Sequence, residues 1–288
     1  FHWCLTLQSL DLSTWTTDSL IHVSSDIETT GMFSNCGCLH TLKLGKGFKT
    51  DKIDNMRFMF HDCDSLTSLD VSNFNTSNVT NMEYMFSGCQ SLTSLDVSRF
   101  NTGNVTDTYA MFDSCASLTS LDLSGWNTIN MINMNSMFSG CTSLTSLNLS
   151  NWILNEVDIG YLCSRCARLT TIILNNWDFN KPSWLSNIFN GCTNLNLVYM
   201  KNSNAESVNN IIDLLLTRAA DSMGTLIIMG VDDIIQVNME TANSKYWNII
   251  NKAQGKIVNI TAGDNNVINQ LINNRKIKNV YLGNNKLL

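Results

Sequence analysis

A cysteine that returns at a nearly constant interval constrains this chain more than any other feature. The series is Cys36, Cys63, Cys89, Cys115, Cys141, Cys166 and Cys192. Its members lie about 26 residues apart, a period typical of repeat architectures. Apolar residues follow at three, six and eight positions, as Leu92, Leu95 and Val97 follow Cys89. Cys4 shares the phase, but the gap from Cys4 to Cys36 is longer, which predicts an insertion within 16–31. The chain therefore contains about eight copies of one unit.

A period of 20–29 residues with an L-x-x-L-x-L core is typical of a leucine-rich-repeat solenoid. One unit cannot bury its own apolar face, but stacked units share a continuous core. The alternating stretch Leu92–Ser98 predicts a half-buried strand, and the spacing of Val79, Met82 and Phe86 predicts a short helix over 78–86, capped by Asn78 or Thr80. We therefore predict an α/β repeat solenoid: a right-handed coil with a parallel sheet on the concave face and short helical returns.

The strict period stops after Met200, so residues 1–200 are predicted as the solenoid and residues 201–288 as degenerate coils with a C-terminal α/β cap. A solenoid exposes its core at each end, and a cap covers it. The apolar spacing in this second region predicts a helix over 206–220 and a short helix over 241–246. Predicted strands cover 225–229, 247–250 and 256–261, followed by a strand and turn over 277–284.

The charge distribution excludes a nucleic-acid binder, which needs a basic stripe to neutralise phosphates. The formal net charge is −6, and residues 1–200 carry 9 Lys and Arg against 17 Asp and Glu, a net of −8. There is no apolar run of about 18 residues that could span a membrane. The sequence opens inside a repeat and without methionine, so we expect a fragment of a longer protein whose export signal or anchor would lie upstream.

The cysteine column is open to three interpretations: disulfides, metal binding or packing. A distance near the spacing of strands, about 5 Å, would permit disulfides. Each cysteine, however, stands among Met, Phe and Leu, which favours a buried free thiol that packs as a small apolar side chain. Cys163 and Cys166 have the spacing of half a zinc or redox site, but no second pair or nearby His completes it.

Polar residues that alternate with the buried ones form columns, and these are the candidate binding residues. They are Ser68, Asp70, Ser72, Ser94, Asp96, Ser98, Ser120, Asp122 and Ser124. One interpretation is an acidic, hydroxyl-rich concave surface for a basic protein segment, a glycan or a divalent cation, since solenoids bind on such faces. The other is repeat duplication, with Ser and Asp keeping an open face soluble. The sequence leaves both open.

Three further columns are predicted to be structural. An aromatic column past each strand is expected to pack in the core rather than stack on sugars: Trp15, Phe48, Phe74, Phe100, Trp126, Trp152 and Trp177. The adjacent column of Asn75, Asn101 and Asn127 is expected to bond backbone groups at the corner. Near residue 200 the polar columns become apolar, at Ile173, Leu197 and Tyr199. We expect the C-terminal region to pack over these residues; the alternative is that they form a hydrophobic contact patch.

Catalysis has little support in the sequence. The four histidines, His2, His22, His40 and His61, all lie towards the N-terminal end of the chain and share no common phase. No Ser/His/Asp order, phosphate loop or zinc-protease motif is present. We therefore predict a non-enzymatic chain with no catalytic residues, no metal and no cofactor.

The repeats resemble those of the BspA-like leucine-rich surface proteins, a unit that also occurs in a repeat domain of mycoplasma surface proteins. Residues 85–98, MFSGCQSLTSLDVS, carry the resemblance, which covers about residues 1–200 and weakens from about residue 150. It implies a bacterial adhesion module at the cell surface or secreted. Its partner would be a protein or glycan on a host or neighbouring cell.

A second resemblance is short. Gly224–Leu226, Ala242–Trp247 and Val280–Gly283 are similar to segments of gut-bacterial repeat proteins and of the tail proteins of their phages. It implies a phage tail or receptor-binding virion component as an alternative. An accessory repeat domain of a larger surface enzyme is the other alternative.

Overall fold

The structure is a computed structural model of the 288-residue chain. It describes residues 1–18, 31–150, 152–154, 156–179, 185–201, 203, 205–215, 224–229, 247–251, 256–258, 279–282, 285 and 286. The chain divides into two units. Unit 1 comprises Phe1–Asn148, Trp152–Leu169 and Ser183–Asn194, and unit 2 comprises Leu149–Asn151, Thr170–Pro182 and Leu195–Leu288. Most of the insertion expected within 16–31 lies outside the described residues.

Unit 1 contains three short strands: β1 (Ser9–Leu12), β2 (Thr41–Leu44) and β3 (Ser146–Asn148). β1 and β2 pair in parallel, with Leu10 opposite Leu42 and Leu12 opposite Leu44. Since these residues are three and five positions after the first leucine of each repeat, the pairing aligns the repeats as the sequence predicts. The parallel stacking of a leucine-rich-repeat solenoid is therefore confirmed.

The extended segments of the central coils, residues 67–71, 93–97 and 119–123, do not form regular strands. Burial alternates as predicted, because Leu95 and Val97 are buried while Ser94 and Asp96 are exposed. Hydrogen bonds along these segments are sparse and long, such as Thr93 N–H to the Thr67 carbonyl at 3.4 Å. The prediction of a strand over Leu92–Ser98 is therefore correct in the side-chain pattern and wrong in the backbone pairing.

The predicted helical return over 78–86 is also wrong, because the segment forms consecutive β-turns. Within a coil, the N–H groups of Met85 and Cys89 donate to carbonyls three residues back, each at 3.1 Å. The N–H groups of Tyr84 and Phe86 donate to the next coil instead, to the carbonyls of Tyr109 and Met111, each at 2.9 Å. An α-helix would satisfy all its N–H groups internally and hold neighbours about 8–10 Å apart, whereas a paired ladder holds them about 4.8 Å apart.

Each turn segment contains two backbone positions in the left-handed region, four residues apart. In the coil of Tyr84 and Gly88 their φ angles are 53° and 76°. Glycine also occupies the second position at Gly140 and Gly191, whereas the coil of Tyr161 and Arg165 has a bulky residue at both, with φ of 55° and 61°. Such residues adopt this conformation at a cost of about 1–2 kcal/mol each.

The centre of unit 1 is a stack of phenylalanine rings from successive turn segments. Neighbouring centroids are 5.4, 5.5, 5.6 and 5.8 Å apart, with ring planes within 7° of parallel, along the series Phe33, Phe60, Phe86, Phe112 and Phe138. All five rings are fully buried. The rings can stack at this spacing because successive coils lie about as far apart as hydrogen-bonded strands.

Side-chain ladders at the corners also link successive coils. Buried Thr102 donates from Oγ1 to the Asn127 carbonyl at 2.9 Å and accepts from the Asn127 N–H at 2.8 Å. Thr76 and Thr128 donate in the same way to Asn101 and Ile153. At a second position, the Asn104 amide donates to the Ser77 carbonyl at 2.7 Å. These bonds satisfy backbone groups that no strand ladder pairs.

Unit 2 contains parallel pairs of β4 (Thr171–Ile173) with β5 (Leu197–Lys201), β5 with β6 (Gly224–Met229), and β6 with β7 (Trp247–Asn251). Helix α1 (Ala205–Leu214) lies between β5 and β6 in the sequence. A second sheet contains β8 (Lys256–Val258), β9 (Asn279–Leu282) and β10 (Asn285–Lys286), and its strands β8 and β9 are parallel. Each predicted strand after residue 200 thus has a counterpart. The predicted helix over 206–220 begins as expected and ends at Leu214.

Several predictions for unit 2 fall beyond what the structure describes. The short helix over 241–246, the end of the strand over 256–261 and the residues Gly283 and Asn284 lie outside the described residues. Within the described part of the chain, no helix reaches the length and apolar character needed to cross a membrane.

Candidate functional site

The nine predicted binding residues lie together on the extended segments of three consecutive coils, a surface called here the Asp/Ser face. It comprises Ser68, Asp70, Ser72, Ser94, Asp96, Ser98, Ser120, Asp122 and Ser124. Ser98 is partly buried and the other eight are exposed. The alternation of buried and exposed residues places all nine on one surface, because the apolar side chains between them enter the core.

Each aspartate of this face caps the bend that follows it. The carboxylate Oδ1 accepts from the serine N–H two residues on: Ser72 to Asp70 at 2.9 Å, Ser98 to Asp96 at 3.0 Å and Ser124 to Asp122 at 3.0 Å. The Ser98 hydroxyl also donates to Asp96 at 2.6 Å. This Asp-x-Ser bond is a known device for ending an extended segment. The sequence analysis missed it, although the repeated Asp-x-Ser spacing was its signal.

The three carboxylates are held in the ionised form. Hydrogen bonds from Ser72, Ser98 and Ser124 are the main cause that lowers the pKa of Asp70, Asp96 and Asp122. Asp96 raises the pKa of Asp70 and of Asp122 by repulsion, but this effect is smaller. The serine N–H groups use only Oδ1 of each carboxylate.

The same coils carry a second candidate surface on their turn segments, called here the tyrosine groove. It is an open groove of about 640 Å³ within unit 1. Its lining is Tyr84, Tyr109, Ala110, Asp113, Asn135, Ser136, Ser139, Tyr161, Ser164, Arg165 and Asn190. The groove is not predicted from the sequence, because Tyr84 and Tyr161 share one repeat position in coils that are not adjacent, while Tyr109 occupies another position, so the three form no continuous column.

A carboxylate and a guanidinium face each other in the tyrosine groove. Arg165 donates from one terminal nitrogen to Asp113 Oδ1 at 3.5 Å and to the Ser139 hydroxyl at 3.1 Å. The other oxygen of Asp113 accepts from Ser114 at 2.9 Å. Arg165 is 66 % exposed and Asp113 23 % exposed. The two charges therefore balance, and the groove is polar without a net charge from this pair.

Aromatic rings form one end of the tyrosine groove. Tyr84 stacks on Phe58 with centroids 4.9 Å apart, and Tyr109 meets Tyr84 edge to face at 5.1 Å. Burial and then the hydrogen bond with Tyr109 raise the pKa of the Tyr84 hydroxyl well above its usual range. Tyr84 is therefore a neutral group at every physiological pH.

The cysteine column consists of free thiols, as predicted for packing. All ten cysteines are free, and the column residues from Cys36 to Cys192 are buried. Each thiol also donates to a carbonyl of the preceding coil, as Cys89 does to Phe60 and Cys115 to Phe86, both at 3.2 Å. Burial is the main cause that raises the pKa of Cys89 to about 12. Cys38 is exposed and Cys4 partly buried.

The aromatic and asparagine columns follow the predictions with one exception. The aromatic column is buried from Phe48 to Trp177, but Trp15 is 50 % exposed. Each corner asparagine accepts from the N–H two residues on at 3.1 Å, as at Asn75, Asn101 and Asn127. In unit 2, Ile173, Leu197 and Tyr199 are half-buried, and β6 pairs beside β5 in the same sheet. Most of the C-terminal residues expected to pack over them lie outside the described residues.

No group of three or more His, Cys, Asp or Glu residues with the geometry of a metal site is found in the part of the chain that the structure describes. His22 lies outside that part. His2 and His61 each precede a column cysteine by two residues, and His40 lies at a different coil position.

Comparison with protein families places this solenoid within leucine-rich-repeat proteins. Residues 27–152 match the family described as Mycoplasma protein of unknown function, DUF285. Residues 108–213 match the BspA type Leucine rich repeat region (6 copies). No curated protein matches the chain. Residues 108–213 are thus similar to BspA-type leucine-rich repeats, as the resemblance of the repeats predicts, and repeats of this type suit a protein-binding module.

Proposed function

We propose that this chain is a non-enzymatic adhesion module, exposed at a cell surface or secreted, that binds a basic segment of a partner protein on its Asp/Ser face. The observation that carries the proposal is the row of ionised aspartates Asp70, Asp96 and Asp122 on an exposed surface, where the capping N–H group uses only one oxygen of each carboxylate. A partner with Lys or Arg at matching intervals would pair with these carboxylates. Charge-assisted hydrogen bonds of this kind are stronger than neutral ones.

The charge of the surrounding coils supports a basic partner. Residues 59–150 contain eight Asp and Glu residues, and Arg99 is the only Lys or Arg among them. A field of one sign attracts an oppositely charged partner and speeds its association, with a strong dependence on salt. A glycan or divalent cation on the same face remains an alternative partner from the sequence analysis.

Changing Asp70, Asp96 and Asp122 together to Asn tests this proposal. Asparagine keeps the side-chain oxygen that accepts the serine N–H but removes the charge, so the bends stay capped. A matrix-protein and glycan array first identifies the partners that the unchanged protein binds. We expect the triple variant to bind each protein partner at least about tenfold more weakly. The salt dependence of binding, measured by surface plasmon resonance, should become shallower.

A matched control removes the same charge elsewhere on unit 1. Asp51→Asn, Asp54→Asn and Glu156→Gln change three exposed acidic residues outside the Asp/Ser face. This variant should keep the affinity within about twofold. If the face variant retains all detected protein binding, or if both variants lose it equally, the Asp/Ser face is not the binding site.

The sequence also raised two other roles, a virion component and an accessory domain of a surface enzyme. The segments encoded next to this sequence would distinguish these roles from an adhesion module. A signal peptide or lipid-attachment motif upstream favours the adhesion module. A tail-fibre stalk favours the virion component, and a hydrolase domain the accessory domain.

A further inference from the structure

The tyrosine groove contains a ring that the fold itself does not require. Tyr161 occupies the first left-handed position of its turn segment, with φ of 55°, and is 41 % exposed. The equivalent residues are Ala110, Ser136 and Asn187 in three other coils and the aromatic Phe58 and Tyr84 in two, so small or polar side chains also suffice there. A tyrosine in this conformation is strained, and its exposed ring contributes little to the core.

Polar groups of the groove are left without partners. The hydroxyl of buried Ser139 accepts from Arg165, but its own proton has no acceptor among the described residues. The Tyr161 hydroxyl and the Asn190 side-chain amide likewise have no hydrogen-bond partner within the described part of the chain. Buried polar groups in proteins are nearly always hydrogen-bonded, so the Ser139 hydroxyl indicates a donor that a ligand can use.

The volume and charge of the groove restrict the class of ligand. Its volume of about 640 Å³ lies in the range of ligand sites, about 300–1,000 Å³. Since Asp113 and Arg165 balance each other, a charged ligand gains little from the site. Together they offer an acceptor and a donor side by side, an arrangement that fits two neighbouring hydroxyl groups.

The backbone below the groove argues against an extended peptide. A peptide that adds to a sheet edge needs unpaired N–H and carbonyl groups. Here the N–H groups of Tyr84 and Ser136 already donate to the next coil, at 2.9 and 2.8 Å. Deep apolar side-chain pockets, the other means of peptide recognition, are also missing from the described lining, which is mostly Tyr, Ser, Asn, Asp and Arg.

We infer that the tyrosine groove binds a neutral oligosaccharide. The exposed face of Tyr161 stacks against the C–H face of a pyranose ring, since the aromatic face carries partial negative charge. Asp113, Arg165, Ser139 and Asn190 bond the hydroxyl groups at the ring edge. This site is separate from the Asp/Ser face and does not depend on the function proposed for it.

Titration with defined sugars tests the inference on the full chain. The probes are maltotriose, cellotriose and chitotriose, with sialyllactose as an anionic probe, measured by saturation-transfer NMR and calorimetry. We expect at least one neutral trisaccharide to bind with a dissociation constant of about 1 mM or lower. Tyr161→Ser places the residue of a neighbouring coil at this position and should weaken binding by at least about tenfold while the melting temperature is kept or raised.

Two controls keep the result interpretable. Tyr161→Phe retains the ring and should change affinity by no more than about threefold, because stacking is preserved. Ile132→Ser removes another exposed apolar side chain of unit 1, 63 % exposed and outside the groove, and should leave sugar binding unchanged. Failure of all neutral probes to bind below about 10 mM would overturn the inference. So would equal binding by Tyr161→Ser, binding of sialyllactose alone, or loss with Ile132→Ser. A peptide library whose binding depends on Tyr161 while no sugar binds would reassign the groove to peptides.

Discussion

The turn segments and the extended segments of the same coils are held together in different ways. In the turn segments, alternate N–H groups pair with the next coil at close distances, as Tyr84 does with Tyr109 at 2.9 Å. In the extended segments of the central coils, the corresponding bonds are few and reach 3.4–3.5 Å. The extended segment, whose sequence most clearly predicts a strand, thus has fewer and longer hydrogen bonds between coils than the turn segment. Stacking in this solenoid depends mainly on turns and on buried side-chain ladders.

Alkaline pH should produce the largest effect, and it acts on the turn segments, where the buried cysteines lie. Burial raises the pKa of Cys89 to about 12, and the pKa values of Cys115 and Cys141 are raised as well. These thiols stay protonated in the folded protein, whereas in the unfolded chain they ionise near pH 8.5. Their contribution is therefore fully present below about pH 8.5 and falls as pH rises from there towards the folded pKa. Each buried thiol removes about 1.4 kcal/mol per pH unit.

Urea unfolding between pH 7 and pH 11 checks this expectation. The midpoint should fall steeply above pH 9, and Cys115→Ala should make the decline shallower. A midpoint that is level up to pH 11 would mean that the thiols are accessible in the folded protein.

Truncation of one stacked ring should have the next largest effect. Phe112 lies between Phe86 and Phe138 at 5.6 and 5.8 Å and is fully buried. Phe112→Ala should lower the free energy of unfolding by about 3–5 kcal/mol. On the extended segment of the same coil, Leu121 is only half-buried, so Leu121→Ala should cost about 1–2 kcal/mol. If chemical denaturation showed equal losses of unfolding free energy for the two variants, the turn and extended segments would contribute equally to stability.

The threonine ladder gives a closer comparison, because one substitution can be made at two positions. Thr102→Val removes the hydroxyl that pairs both backbone groups of Asn127, so about 1–3 kcal/mol should be lost. Thr93 lies on the extended segment, is exposed, and contacts the Thr67 carbonyl only at 3.5 Å. Thr93→Val should change stability by less than about 0.5 kcal/mol. The difference between the two urea midpoints measures the contrast directly.

The smallest effect is expected at the Asp/Ser face. Asp96→Ala removes the acceptor of the Ser98 N–H and should lower the melting temperature by about 1–2 °C, whereas Asp96→Asn keeps the acceptor, loses the charge and should lower the melting temperature by less. Since hydrogen bonds from Ser98 lower the pKa of Asp96, its contribution is present at neutral pH and lost as pH falls through the folded pKa. A melting temperature lowered equally by both variants would show that charge, and not the cap, stabilises the bend.

The repeat architecture was predictable because period and phase are written in single residues such as Cys89, Leu92 and Leu95. The burial of the thiols and of the corner aromatics followed from their place in that phase. The helical return was not predictable from apolar spacing, because Val79, Met82 and Phe86 suit consecutive β-turns as well as a helix. Only Gly88, Gly140 and Gly191 signalled the left-handed positions.

The candidate sites differ in the same way. The Asp/Ser face was found because each coil repeats it. Its capping bonds, such as that from Ser98 to Asp96, depend on the backbone bend between the two residues, which the sequence alone does not show. The tyrosine groove was missed because Tyr109 lies at a different repeat position from Tyr84 and Tyr161, and the three side chains come together only after the coils stack. Sequence columns reveal what duplication preserved, and departures from the columns mark where one coil was altered.

Amide hydrogen exchange is the most direct test of which side of the coil holds the solenoid together. The account predicts that the N–H groups of Met82, Tyr84 and Phe86 exchange at least about a hundredfold more slowly than those of Thr93, Ser94 and Val97, because the former lie in the inter-coil ladder. Exchange is measured residue by residue by NMR at neutral pH. Equal protection on both sides, or slower exchange in the extended segments, would contradict it and restore the strand side as the main support of the fold.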